Sequence, residues 1–388
     1  MKNNKSAAAQ AARRRNIMLN LTHNKTRPIG LEMESNSIRM IQLAHTGENA
    51  RVIAADEIQI GAGASADEQS RHEFAVSAIK EMLARGNFRG RSVVSSLSNS
   101  SLKIKSLRLD TSDADQIEQL ITNDIAAQFG LDSDNDEIRY IIAGSVYHAD
   151  EIKNEIIFLG ADKESISQHI ALLEEAGLKP LAIDAAPCAL FRCFRSSLRR
   201  QEDQQLVSVF IEVGSLFTTV IISRGQQIAF VKQIPIGGRK LNEQVASKLD
   251  VDYDEAVVLR SKLRNTDTGT IETTTRQAIV DAMSFVIEEL AREISLCFKY
   301  YAVTFRGNRP SEAVFAGTEA YESVLLEELK KHLDIEVKLA QPFRGFELAG
   351  TEFAAEQNAS FCEWAVAVGL GVRGWDSPDN GSEKHERN

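Results

Sequence analysis

The chain has 388 residues, of which 43% are hydrophobic and 26% are charged, a composition typical of a globular protein in water. This length favours two or more compact lobes, and no apolar run approaches the roughly 20 residues that span a bilayer. The formal net charge of −10 argues against nucleic-acid binding, which needs a basic surface. The four cysteines have no CxxC spacing, so we expect reduced core thiols in a cytoplasmic protein.

The charge is distributed unevenly, because residues 1–27 contain seven basic residues and no acidic residue. We predict that this segment is a disordered, solvated tail. Contact with an acidic membrane surface or an acidic partner is the alternative interpretation. The closing residues 375–388 are equally polar and are also predicted to be disordered.

The segment after the basic tail alternates apolar and polar side chains and predicts three strands followed by a helix. The predicted strands cover 29–33, 38–43 and 51–60, a tight turn lies at 34–36, and the helix covers 71–85. Strand-like alternation then returns between residues 91 and 110, and Thr111-Ser112-Asp113 is a suitable N-cap for a helix over 114–130. Two more strands, a helix that Gly177 ends, a short strand and another helix carry the pattern to about residue 200.

The three-strand arrangement returns near residues 207–236 and is followed by the glycine pair Gly237-Gly238 and a helix. Two similar units in one chain indicate an internal duplication, which predicts two related lobes on either side of a cleft. A long helix over 272–298 and a strand that runs into a turn at Gly317 complete the second lobe. A helical pattern then closes the chain.

Acidic residues stand at the ends of the first strands of both units, at Glu32 and Glu212. In actin-like ATPases two such hairpins surround a nucleotide: backbone N–H groups of the turns face the phosphates, and an acidic side chain holds Mg²⁺. A glycine-containing turn, here at Gly317, lets the adenosine approach the backbone. The order of these parts predicts a nucleotide cleft.

The residues at these places depart from what phosphate binding requires. Glu34 stands where the first turn needs a glycine, and its carboxylate would repel a triphosphate and bring a Cβ into a turn that can require positive φ. Glu32 and Glu212 are one methylene longer than aspartate, and Glu319 follows the single glycine of the adenosine turn. We therefore predict no efficient ATP hydrolysis and identify no catalytic residue. Binding of ATP and Mg²⁺ without turnover is the alternative.

Other chemistries have weaker support in the sequence. The seven histidines form no ligand-spaced cluster, which argues against a metal site. The chain has neither a GxSxG elbow nor a Walker A lysine loop. A sugar or metabolite kinase on the same fold would need a catalytic aspartate, and we find no candidate.

Taken in order, the stretches "IGLEMESNSIRMIQL", "VFIEVGSLFTTVIISRGQQIAFVKQIPIGGRKLNEQVA" and "AVFAGTEA" resemble the PilM family of type IV pilus assembly, and more distantly FtsA-type proteins. The similarity covers roughly residues 28–374. It implies an α/β fold of the actin-like, ribonuclease H-like duplicated type, with two lobes and a small inserted α+β domain. The implied divisions are 28–90 and 161–200 for the first lobe, 91–160 for the inserted domain, 201–340 for the second lobe, and 341–374 for a return to the first lobe.

The resemblance also implies which residues correspond to the nucleotide site of the family. They are Glu32, Ser35, Asn36, Ser37 and Arg39 in the first hairpin, Glu212, Gly214 and Ser215 in the second, the pair Gly237 and Gly238, and Gly317 in the adenosine turn. The family's glycine of the first turn corresponds to Glu34. The departures at 32, 34, 212, 318 and 319 place ATP and Mg²⁺ in doubt.

The partner implied by the resemblance is the short N-terminal cytoplasmic segment of a PilN-like inner-membrane protein. The family binds that segment in a groove between the inserted domain and its neighbour, so the protein would be peripheral at the inner membrane through its partner. A link to pilus motor ATPases is implied as well. Our leading interpretation is a scaffold with a degenerate nucleotide site, in a type IV pilus or a related type II secretion-like system. The alternative is an active, slowly hydrolysing ATP-binding protein whose partner binding is nucleotide-gated.

Overall fold

The computed structural model describes most of the chain from residue 27 to residue 373, with several internal gaps. The described residues are 27–46, 49–61, 67–120, 130–132, 134–148, 151–198, 201–264, 272–307, 309–351, 353 and 359–373. The two predicted tails lie outside the described residues apart from Arg27. Most of the helix predicted over 114–130 lies outside them as well.

The first sheet has six strands in the order β14-β3-β2-β1-β4-β8. Its strands are β1 (Ile29–Met33), β2 (Ser37–Thr46), β3 (Asn49–Gln59), β4 (Ser92–Ser96), β8 (Lys179–Asp184) and β14 (Phe346–Glu347). The first three strands pair antiparallel, whereas β4 is parallel to β1, β8 is parallel to β4, and β14 is parallel to β3. The pairing of β14 with β3 brings the end of the chain back to the first lobe.

The second sheet has five strands in the order β11-β10-β9-β12-β13. They are β9 (Val207–Val213), β10 (Thr218–Arg224), β11 (Gln227–Ile234), β12 (Glu312–Ala316) and β13 (Glu336–Leu339). Three antiparallel strands are again followed by two parallel ones, so the sheet repeats the topology of β3-β2-β1-β4-β8. The duplication inferred from the sequence is therefore present in the strand order.

A third, three-stranded antiparallel sheet has the order β5-β7-β6. It consists of β5 (Leu102–Leu109), β6 (Asp136–His148) and β7 (Glu151–Asp162). β4 falls within the predicted insertion bounds of 91–160, yet it pairs in the six-stranded sheet. The sheet of the insertion thus begins only at Leu102, because the 3-10 turn Asn99–Ser101 separates the two strands.

Nine α-helices lie in the described part of the chain. They are α1 (Glu68–Arg85), α2 (Ala114–Leu120), α3 (Lys163–Glu175), α4 (Ala186–Arg195), α5 (Gly238–Leu249), α6 (Tyr253–Arg264), α7 (Thr273–Phe305), α8 (Ser323–Leu333) and α9 (Ala365–Gly371). Among the described helices, none combines the length and apolarity that crossing a membrane requires.

The long helix α7 continues about two turns beyond the predicted end at residue 298. The added residues keep the buried spacing, because Tyr301 and Thr304 are both buried and the ring of Phe305 stacks on Tyr301 at 5.3 Å. The helix ends where Arg306 takes a left-handed conformation with φ of 50°. The predicted end of this helix at Phe298 is therefore wrong.

Both faces of the first sheet are covered, so side chains on both sides of its central strands β1 and β2 are buried. The cross-strand pair Leu31 and Met40 packs with Ile79 of α1 on one face. On the other face Ile41 packs with Val368 of α9. The short helix α9 thereby connects the closing segment to the core of the first lobe.

Close backbone contact between α9 and α4 requires a glycine at 369, because a Cβ there would lie 1.8 Å from the carbonyl oxygen of Ala189. We predict that Gly369→Ala lowers the free energy of unfolding by about 1–3 kcal/mol, through overpacking. The same change in an open helix stabilises by up to about 1 kcal/mol. Urea unfolding measures the difference.

The matched control is Gly61→Ala, where a Cβ would meet no atom within 4 Å. We expect a change of less than about 0.5 kcal/mol for this variant. Equal unfolding midpoints for Gly369→Ala and the control would contradict the packing of α9 on α4.

Candidate functional site

The turns of the two related hairpins have the same hydrogen-bonding pattern. The N–H of Glu34 donates to the carbonyl of Ser37 at 2.9 Å, and the N–H of Gly214 donates to the carbonyl of Phe217 at 3.0 Å. Glu34 is thus the structural counterpart of Gly214. Neither residue has positive φ, so the concern that Glu34 strains its turn is wrong. The glycine at 214 provides space, and no special backbone angle is needed.

That space is taken by the Glu34 side chain. A Cβ at Gly214 would lie 3.3 Å from Oε1 of Glu34, and Oε2 of Glu34 accepts a hydrogen bond from Nη1 of Arg39 at 3.3 Å. One carboxylate therefore extends from the first turn to the second. The side chain is only 15% exposed, which shows that the surrounding turns enclose it.

Arg39 lies opposite Glu32 in the β1–β2 register and is almost completely buried. Besides Glu34, its guanidinium lies 2.9 Å from Glu57 and 3.8 Å from Glu32. Burial alone would lower the pKa of Arg39, but the three carboxylates, Glu34 first, raise it above its ordinary value. The guanidinium is therefore held as a cation among three acidic side chains.

Glu32, Glu34 and Glu212 converge, and their carboxylate oxygens lie within 4.8 Å of one another. Burial, and next the charge of Glu34, raise the pKa of Glu212 to about 8. The same two causes raise the pKa of Glu32 well above its usual value. Three carboxylates at this spacing can hold a single cation. The sequence prediction of no metal site was based on the histidines and did not consider these glutamates. In the structure the positive charge beside this cluster is Arg39.

The cavity between the two turns is small, about 40 Å³. A water molecule requires about 10–15 Å³ measured in the same way, so this space admits a few waters. The predicted site residues that line it are Glu32, Ser35, Glu212, Gly214 and Ser215. Asn36 and Ser37 are not among the lining residues.

The amides at the start of α5 bond to the second turn. The N–H of Gly238 donates to the carbonyl of Gly214 at 3.0 Å, and the N–H of Arg239 donates to the carbonyl of Ser215 at 2.8 Å. A helix N-terminus ordinarily offers such donors to a phosphate. The glycine pair Gly237-Gly238 therefore permits a backbone contact between helix and turn.

The turn at Gly317 has the positive φ of 90° that only glycine adopts readily, and its amide donates to the carbonyl of Cys362 at 3.1 Å. Two residues later the carboxylate of Glu319 lies against α5, within 2.1 Å of where a Cβ of Gly238 would be. The predicted adenosine turn and the glycine pair thus lie together, and a carboxylate fills the space between them.

A buried arginine that was not predicted from the sequence holds Glu319 beside Gly238. Nη2 of Arg260, on α6, donates to Glu319 at 2.7 Å and also to Glu322, while its Nη1 donates to the carbonyl of Gly238 at 3.0 Å. All three charged side chains are at most 6% exposed. A signal existed in the sequence, because Arg260 falls at helical spacing between Ala256 and Leu263 on the buried face of α6.

The comparisons with known proteins agree with this architecture. The family model described as "Type IV pilus assembly protein PilM" matches residues 30–375. The chain belongs to the PilM family of type IV pilus assembly proteins. The resemblance read from the sequence is thus confirmed.

Two solved structures show the fold. The chain is similar to a structure titled "PilM-PilN type IV pilus biogenesis complex", at 20% identity and a TM-score of 0.74, over 90% of this chain and 99% of the other. It is also similar to the ethanolamine utilization protein EutJ from Carboxydothermus hydrogenoformans, at 12% identity and a TM-score of 0.51, over 89% of each chain. The predicted actin-like, two-lobe α/β fold of this PilM-family chain is confirmed.

The buried glutamates make the stability of the protein depend on pH. Between the usual glutamate value of 4.5 and about 8, the folded state keeps a proton on Glu212 that the unfolded chain has lost. The stabilisation is fully present below the lower value and is lost as pH rises through the higher one. We predict that the free energy of unfolding falls by up to about 1.4 kcal/mol per pH unit for this group, and that Glu212→Gln removes that component.

Urea unfolding at several pH values between 4.5 and 8 tests this prediction. Glu32 titrates in the same direction, so part of the slope persists in the variant. The exposed Glu243→Gln serves as a control and should keep the full slope. A Glu212→Gln variant with an unchanged slope would show that Glu212 is ionised in the folded state.

Proposed function

We propose that this PilM-family protein is a scaffold of type IV pilus or related type II secretion-like assembly that binds the N-terminal cytoplasmic segment of a PilN-like inner-membrane protein. It acts without a bound nucleotide. Membership of the family and the likeness to the PilM–PilN complex support the choice of partner. The partner holds the scaffold at the cytoplasmic side of the inner membrane, where it links the membrane components to the pilus motor ATPases.

The position of the Glu34 carboxylate is the observation that best supports a scaffold without a bound nucleotide. It lies between the two turns that would have to cradle the phosphates, and it accepts a hydrogen bond from Arg39. Glu34 therefore supplies to Arg39 the negative charge that a phosphate would otherwise supply. A triphosphate would have to displace the Glu34 carboxylate or lie against it. Coulomb repulsion between like charges at such separations is strong at low dielectric.

The adenosine side of the cleft presents a second obstacle. Glu319 fills the space beside Gly238, and Arg260 fixes Glu319 in place. Removing one partner of such a buried ion pair costs about 3–5 kcal/mol, so a nucleoside would not readily displace these side chains. The residues present thus do not fit ATP and Mg²⁺ at either end of the site.

The alternative is a nucleotide-gated PilM-family protein. Its support is the second turn, where Gly214 and Ser215 are small residues of the kind that a phosphate turn needs.

The attachment of the insertion to the second lobe favours the ungated scaffold. Buried Glu155 on β7 accepts hydrogen bonds from Arg108 and from Tyr300 on α7, and Arg108 also donates to Thr304. This network fixes the inserted sheet to the second lobe without a ligand between them. We infer that the peptide groove beside the insertion is preformed.

The partner proposal predicts that a synthetic peptide with the N-terminal cytoplasmic sequence of the cognate PilN-like protein binds at micromolar affinity. Fluorescence anisotropy measures this, with a scrambled peptide as control. Because the groove needs no nucleotide, Mg-ATP should change the affinity less than twofold. No binding at several hundred micromolar would contradict the partner, and a large effect of Mg-ATP would contradict only the ungated mechanism.

The nucleotide proposal predicts no calorimetric signal when Mg-ATP is titrated into the native protein up to millimolar concentration. Glu34→Gly removes the carboxylate that lies between the turns, and we expect at least a tenfold gain in affinity, or about 1.4 kcal/mol. Glu34→Gln keeps the size and removes the charge, so it separates steric from electrostatic exclusion. Micromolar binding by the native protein would overturn the degenerate site and favour the nucleotide-gated alternative.

A further inference from the structure

The long helix α7 exposes three large apolar side chains along one face. Phe285 is 66% exposed, Leu296 is 49% exposed and Val303 is 80% exposed. At 100° per residue, the three positions fall within about 20° of one another around the helix. Apolar side chains that line up in this way mark an interaction surface more often than isolated ones do. We call this face, from Asp281 to Val303, the α7 stripe.

Charged residues alternate with the apolar ones along the α7 stripe. Glu288 lies in its N-terminal half, Arg292 near its middle and Lys299 in its C-terminal half, and all three are exposed. None of the three forms an ion pair with another described residue. By contrast, the neighbouring Glu289, on the flank of the helix, pairs with Lys240 of α5 at 2.7 Å. The stripe therefore has acidic and basic groups that no described part of the chain neutralises.

The order of these residues along α7 allows them to pair with the same residues of a second, antiparallel copy of the helix. In an antiparallel pair of helices related by a two-fold axis, the residue numbers of two facing residues add up to the same value for every facing pair. Phe285 faces Val303 at a sum of 588, Arg292 faces Leu296 at the same sum, and Glu288 faces Lys299 at 587. One register thus places Phe285 against Val303 and Glu288 against Lys299, and it places the aliphatic stem of Arg292 against Leu296.

The positions of these residues around the helix axis are consistent with this register as well. Glu288 and Lys299 lie on the same flank of the stripe, about 20° apart around the helix. A two-fold axis perpendicular to both helices keeps each flank on its own side, so residues that pair must share a flank. Leu296 lies next to the axis and would contact its own copy. The self-complementarity is that of an isologous interface.

We propose that the α7 stripe is the interface of a homodimer in which two α7 helices pack antiparallel about a two-fold axis near Ile294. The stripe spans about 33 Å, a length over which helices crossing at about 20° stay in contact. A lipid surface would favour a stripe of uniformly basic charge, and a partner of one charge sign would leave half of the stripe unpaired. A second copy pairs Glu288 with Lys299 and covers Phe285 and Val303 at the same time.

Sedimentation equilibrium of the full chain tests the proposal by exchange of charges. Glu288→Lys or Lys299→Glu alone places like charges opposite each other twice per dimer, and we expect each to weaken self-association at least tenfold. The double variant Glu288→Lys/Lys299→Glu restores both pairs, so its dimerisation should return to within threefold of native. An equimolar mixture of the two single variants should associate as well, because the unlike chains complement each other.

The control variant is Glu243→Lys, which makes the same change of charge on the exposed face of α5 and should leave self-association unchanged. Native protein that stays monomeric at 100 μM or above would overturn the proposal. So would single variants that dimerise like the control, or a double variant that fails to recover. Unaltered circular dichroism spectra of the variants exclude loss of folding as the cause.

Discussion

The buried contact between Arg39 and Glu34 is the interaction on which the arrangement of the cleft depends. A buried guanidinium needs a nearby anion, because an unpaired charge in the interior costs several kcal/mol. In this chain the anion is a side chain of the same hairpin, reinforced by Glu57 and Glu32. The raised pKa values of Glu32 and Glu212 mean that protons neutralise part of the remaining negative charge. The positive charge of Arg39 is thus balanced by side chains of its own sheet, while Oε2 of Glu32 and Oε2 of Glu212 accept no hydrogen bond from the described residues.

The sheets and the duplication could be predicted from the sequence, because period-two alternation and repeated strand order are local signals. The two turns and their glutamates were also predictable, since each follows directly from the end of a strand. The burial of Arg260 was harder to predict, because its partners Glu319 and Glu322 lie about 60 residues further along the chain. The direction of the Glu34 side chain depends on Gly214 in the other lobe, which no local pattern specifies.

Backbone contacts within the chain can close the cleft of an actin-like fold. The first amides of α5 bond to carbonyls of the second turn, and the Gly317 amide bonds to Cys362. These donors would be unsatisfied and costly if they awaited a phosphate in a buried cleft. The residues that resemble a nucleotide site therefore bond to one another within the second lobe, and Gly317 joins that lobe to the closing segment. For the proposed scaffold these contacts favour one stable shape of the cleft.

A crystal structure of the native protein grown with millimolar Mg-ATP tests most directly whether Glu34 closes the cleft. We expect the Glu34 carboxylate to lie between the two turns beside Arg39, with no density for a triphosphate. The Arg260–Glu319 pair should also be intact beside Gly238. A triphosphate between the turns, with Glu34 turned to solvent and Arg39 on the phosphates, would contradict a closed cleft.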